Sequence, residues 1–202
     1  MKNVMSQILK NIELYKELYG NEIYLNSFSN SKNDIISFNS LENYIFIESG
    51  NSNSKIVFIV NDLETNNNID ELSFPGESRK LLDKMFFSIN LDEENFFLIN
   101  TLEYKSLLNQ DLKQYKIREY SSYLKNQLKI IKPNLIVALG KVSANKILHT
   151  DSSFNDMRNK IFDYKGIDFL VTYHPKALLR DENLKKFAWE DFKLIRDKYI
   201  NV

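Results

Sequence analysis

Four short segments of this chain gather side chains capable of chemistry, each at the end of an apolar run: Val60-Asn61-Asp62, Asn100-Thr101, Gly140-Lys141 and Thr172-Tyr173-His174-Pro175. The last is the most distinctive. In TYHPKALLR (172–180) a histidine closes a predicted strand and Pro175 fixes the turn. Ala177, Leu178 and Leu179 then bury the next segment, and Arg180 is left to reach an anion. A histidine so placed is either a hydrogen-bonded structural residue or a group that exchanges a proton near neutral pH. The residue type alone does not separate the two.

The elements that would carry these segments follow from hydrophobic periodicity. Val4, Ile8, Leu9, Ile12, Tyr15 and Tyr19 recur at helical spacing over 3–19, and Gly20 is a natural stop. SFSNSKND (27–34) reads as a loop, LENYIFIE (41–48) as a strand and SGNSNS (49–54) as a turn. From Lys55 the pattern alternates. KIVFIV (55–60), FFLIN (96–100), NLIVALG (134–140) and DFLVT (168–172) are short apolar runs, and helical segments over 79–89, 112–131, 142–148 and 183–199 separate or follow them. Short buried strands alternating with helices predict an α/β fold: three layers, α/β/α, around a central, mostly parallel four-stranded sheet. Polar groups at the carboxyl ends of such strands converge on one site.

Composition narrows the classes. At 202 residues with 43% hydrophobic content the chain supports one well-buried core, so residues 1–202 are expected to form a single domain. Lys plus Arg equals Asp plus Glu at 27 each, so the overall field does not signal a polyanion partner, although a local basic groove stays open. The absence of cysteine excludes disulfides, a thiol nucleophile and any cysteine-ligated zinc or iron–sulfur centre. No metal or cofactor is expected. No apolar run approaches the roughly 20 residues needed to span a bilayer, and the charged start MKNVMSQILKNIELYK lacks a signal-peptide core, so a cytoplasmic monomer without a membrane partner is expected.

Longer stretches resemble a known family. The TYH strand end, HPKALLR, and a following helix NLKKFAWEDFKLIR (183–196) with Trp189 and Asp191 are similar to motif B of uracil-DNA glycosylases, the iron–sulfur (fourth) family above all. The family pattern also lies on residues 55–100 without a gap, matching Phe74, Gly76, Leu81, Leu82, Asp83, Lys84, Met85, Ile89, Leu91 and Asn100. YLKNQLKIIKPNLIVALGKVSANKIL (123–148) resembles a third stretch. The likeness covers roughly residues 50–200; residues 1–50 diverge.

The resemblance implies hydrolysis of the N-glycosidic bond of a flipped uracil in DNA, the opening step of base excision repair. It assigns Phe74 to stack on the base, Asn100 to read its edge, and His174 to stabilise charge on the leaving uracil. Lys176 and Arg180, with Lys185 and Lys186 nearby, would face phosphates. The segment holding Leu178 and Leu179 corresponds to the family's wedge, or else to core residues at a helix start. Arg158 is a further candidate for DNA contact. Motif A departs from the family. Its G-E-A-P-G falls on Val60-Asn61-Asp62-Leu63-Glu64, so Asn61 replaces the water-orienting carboxylate, and Asp62 offers a carboxylate one place later. Asn can position a water but cannot take its proton. Cluster cysteines fall on Tyr104 and near Tyr120, where packing is expected instead. The alternative implication is a catalytically silent relative that binds DNA or a nucleotide.

Overall fold

The computed structural model describes residues 23–25, 37–41, 44–61, 76–103 and 113–201; Asp62, Phe74, Tyr104 and the helix expected over 3–19 lie outside the described residues. Among the described residues eight strands form one sheet: β1 (Ile23–Leu25), β2 (Ser37–Leu41), β3 (Tyr44–Gly50), β4 (Ile56–Asn61), β5 (Phe96–Glu103), β6 (Leu135–Leu139), β7 (Ile161–Tyr164) and β8 (Ile167–Thr172). Their spatial order is β1-β2-β3-β5-β4-β6-β8-β7. The sheet is therefore mixed and wider than the expected four strands. β5, β4, β6 and β8 pair in parallel at its middle, while β3 and β7 add antiparallel on either side.

Helices α1 (Gly76–Ser88), α2 (Lys113–Ile131), α3 (Lys141–Leu148), α4 (Phe154–Met157), α5 (Pro175–Arg180) and α6 (Lys185–Ile195) complete the described fold. The expected closing helix over 183–199 is in fact a 3-10 turn (Glu182–Leu184), α6, and a π-helical turn (Arg196–Ile200).

Strand alternation explains the layers. β4 is buried along its whole length, so its odd and even residues both face apolar surroundings. Val57 and Ile59 pack with Leu124 and Leu128 of α2 and with Ala144 and Ile147 of α3. Ile56, Phe58 and Val60 pack on the other face with Leu82 and Phe86 of α1 and Phe192 and Ile195 of α6. Phe86 anchors that second layer, its ring centroid 4.6 Å from Phe58 and 4.4 Å from Phe96. Burying each such side chain stabilises the fold by about 1.5–3 kcal/mol.

The topology also sets where a ligand can bind. From β4 the chain crosses to β5 on one side, then returns past β4 to β6 and β8 on the other. Open α/β sheets bind ligands outside the carboxyl ends of strands at such a reversal. Asn61 ends β4, and Gly140 and His174 follow β6 and β8 there; Asn100 lies level with Val60, although β5 runs on to Glu103, past the expected end at Asn100.

Candidate active site

His174 lies two residues after the end of β8 and forms the N-cap of α5. Pro175 suits the first helical position, because its missing N–H is one that a helix start leaves unpaired anyway. The Lys176 amide donates to His174 Nδ1 over 3.1 Å. A nitrogen that accepts from an amide carries no proton, so the neutral ring holds its hydrogen on Nε2 and presents a donor there.

Gly140 supports the histidine from the neighbouring strand. Its amide donates to the Thr172 carbonyl over 2.8 Å, and its backbone is left-handed at φ 90°, ψ 165°. A Cβ at this position would lie 2.9 Å from His174 Cβ. The glycine of NLIVALG thus lets two strand ends approach, a contact that the sequence pattern did not announce.

On the other side, Val60 pairs with Asn100 and Asn61 with Thr101 across the parallel β4–β5 ladder. Asn100 is 2% exposed, yet neither its Nδ2 nor its Oδ1 has a hydrogen-bond partner. A buried polar atom without a partner costs about 1–3 kcal/mol, and an amide with both atoms unmatched is equipped for a ligand carrying one donor and one acceptor. Asn61 is also buried, but its Nδ2 donates to the Thr101 carbonyl over 2.9 Å. Only its Oδ1, an acceptor, is left unmatched, together with Thr101 Oγ1.

The segment after His174 divides the two leucines. Leu178 is 1% exposed, as a core residue at a helix start would be, and Leu179 is 42% exposed on the same helix. The i, i+1 offset of a helix turns adjacent side chains by about 100°, so one inserts inward and the next points out. Lys176 is half-buried and Arg180 exposed. Lys185 is engaged at the surface with Glu182 over 2.5 Å.

Arg158 does not reach outward either. It is 8% exposed, with Nε and Nη2 each 3.0 Å from the two oxygens of Asp191 and Nη2 also donating to the Phe187 carbonyl over 2.6 Å. Thr172 Oγ1 donates to Asp191 Oδ2 over 2.6 Å. Burial pushes the Asp191 carboxyl up, against the lowering effect of the Thr172 and Arg158 hydrogen bonds. In the sequence Asp191 belongs only to a Trp-x-Asp motif, and its partners are 19 and 33 residues away in the chain.

The residues present do not fit a cysteine-ligated cluster. The chain has no cysteine, and Tyr120 is 2% exposed inside the apolar layer under α2. Among the described residues, no group of three or more His, Asp or Glu is placed to hold a metal ion, and no helix is long and apolar enough to cross a membrane.

The site residues thus sit on a mixed α/β sheet: Asn61 ends β4, His174 follows β8, and Asn100 lies level with Val60 across the β4–β5 ladder. The chain belongs to the uracil-DNA glycosylase superfamily: residues 47–193 match the family described as "Uracil DNA glycosylase superfamily". It is 33% identical over 157 residues to the type-4 uracil-DNA glycosylase of Sulfurisphaera tokodaii, covering 73% of this chain and 71% of that protein. It is 31% identical over 157 residues to the enzyme of the same description from Saccharolobus solfataricus, covering 73% of each. The type-4 uracil-DNA glycosylase of Archaeoglobus fulgidus is 30% identical over 154 residues, covering 72% of this chain and 77% of that protein.

Proposed function

We propose that this chain is a DNA glycosylase that hydrolyses the N-glycosidic bond of a flipped uracil, or of a closely related base. The observation that carries the reading is the buried, wholly unpartnered amide of Asn100 in the same sheet as a strand end that carries a histidine whose Nδ1 accepts from the Lys176 amide, which leaves Nε2 as the donor of the neutral ring. Asn100 offers both a donor and an acceptor to a uracil edge. His174 Nε2–H donates to the oxygen on which negative charge builds as the C–N bond breaks.

Water must attack the sugar carbon and lose a proton. Asn61 has committed its Nδ2 to Thr101, and its Oδ1 can accept from water but not deprotonate it. The reading therefore assigns the base to Asp62, with Phe74 stacking on the uracil. Lys176 and Arg180 meet phosphates, and Leu179 fills the gap left by the flipped nucleotide.

The amide at position 61 favours a second reading, a silent relative that binds DNA or a nucleotide. One experiment separates them: the protein is incubated with end-labelled oligonucleotides carrying a single uracil, single-stranded and opposite A or G, and alkali reveals abasic sites. Cleavage by the wild type that is lost in His174→Ala and Asp62→Asn supports the glycosylase. No cleavage at stoichiometric protein, with salt-dependent DNA binding retained, supports the silent binder.

A further inference from the structure

We infer that the buried Arg158–Asp191 pair is a positioning device for His174, holding the end of β8 so that the ring keeps its proton on Nε2; the catalytic consequence rests on the glycosylase reading above. Asp191 lies on α6, and its carboxylate accepts from Thr172, two residues before the histidine, over 2.6 Å. Arg158, on the segment between α4 and β7, closes the other side of that carboxylate with two bonds of 3.0 Å. Its guanidinium carbon also sits 5.2 Å from the centroid of Tyr173 and 5.4 Å from that of Phe187. The residue immediately before His174 thus meets both a cation and the Phe154 ring, whose centroid is 4.7 Å away.

Each member of this group restrains a different degree of freedom. Thr172 ties the strand end to α6, and Arg158 fixes the plane of Tyr173. The Phe187 carbonyl, which accepts from Arg158 over 2.6 Å, sets the height of α6 against both. Core packing alone would not need this: burying two charges is costly, and an apolar pair of the same size commonly serves stability as well or better. A fork of directional bonds instead supplies a fixed geometry, which a charge-stabilising hydrogen bond at a reacting centre requires.

The test compares wild type with Thr172→Val, Thr172→Ser and Arg158→Lys. Valine keeps the shape of threonine but removes the donor, serine keeps the donor, and lysine keeps the charge but not the fork. Two readouts are taken on folded samples. The imidazole nitrogen–proton spectrum of His174 is simple to assign because the chain has two histidines. Steady-state base release separates kcat from KM.

In wild type and Thr172→Ser the spectrum shows a single Nε2–H tautomer. In Thr172→Val and Arg158→Lys it averages between tautomers, and kcat falls by about tenfold to a hundredfold with KM within about twofold. Unchanged spectra and unchanged kcat in both of those variants overturn the inference. If the wild type releases no base, the catalytic reading fails. The tautomer comparison still decides whether the pair positions the histidine.

Discussion

Gly140 stands so close to His174 that a single added methyl group would fall within 2.9 Å of the histidine Cβ. The glycine also holds φ 90°, ψ 165°, a backbone region that side chains other than glycine hardly enter, at a cost of about 1–3 kcal/mol. Gly140→Ala is therefore expected to lower unfolding free energy by at least that amount and to displace the histidine. Denaturant titration and base release measured together check it. A variant that is destabilised yet fully active would show that the β6–β8 contact is not needed for the site.

Asn61 gives a less intuitive expectation. Asn61→Asp restores an acid where the chain departs from the family pattern. The Nδ2 at this position donates to the Thr101 carbonyl, however, and a carboxylate oxygen there would face another acceptor. Asn61→Asp should cost about 1–3 kcal/mol through the lost donor and leave base release no faster than wild type. A gain of more than about tenfold, roughly 1.4 kcal/mol in barrier, would return the catalytic carboxylate to position 61.

Much of this architecture can be read from the residues in order. KIVFIV and NLIVALG are uninterrupted apolar runs, and they become β4 and β6, buried on both faces. β7 escaped notice because IFDY is four residues long, lies at the sheet's edge and alternates between exposed and half-buried positions, so no apolar run marks it. His174 and Asn100 drew attention through local motifs. The Thr172–Asp191–Arg158 group could not, because its members share no spacing and meet only once β8, α6 and the turn before β7 are assembled. The sequence leaves Arg158 open to DNA contact for the same reason: an arginine's destination depends on the carboxylate that the fold brings to it, here Asp191.

Asn100 combines deep burial with an unmatched amide. Its amide is 2% exposed with both polar atoms unmatched, so Asn100→Leu, similar in volume and apolar, removes a penalty of about 1–3 kcal/mol. The variant should melt at a higher temperature than wild type while base release falls by about a hundredfold or more, the scale seen when a site loses one aligned polar group. Calorimetry and the abasic-site assay report the two halves independently. A lower melting temperature would mean that the amide is satisfied in solution, which would remove the main support for its role in reading a base.

Leu178 and Leu179 differ by one position and should differ in kind. Leu178 is 1% exposed beneath α5, and truncating a buried leucine leaves a cavity, so Leu178→Ala is expected to cost about 2–5 kcal/mol. Leu179 is 42% exposed on the same six-residue helix, and Leu179→Ala should change stability by no more than about 0.5 kcal/mol. If Leu179 fills the space of a flipped nucleotide, its truncation weakens activity on duplex DNA, where unpairing must be sustained, more than on single strands, where little stacking is lost. Parallel measurement of base release from uracil opposite A and from single-stranded uracil, in both variants, gives the comparison. An equal loss on both substrates would assign Leu179 to general contact with the strand and not to holding a base pair open.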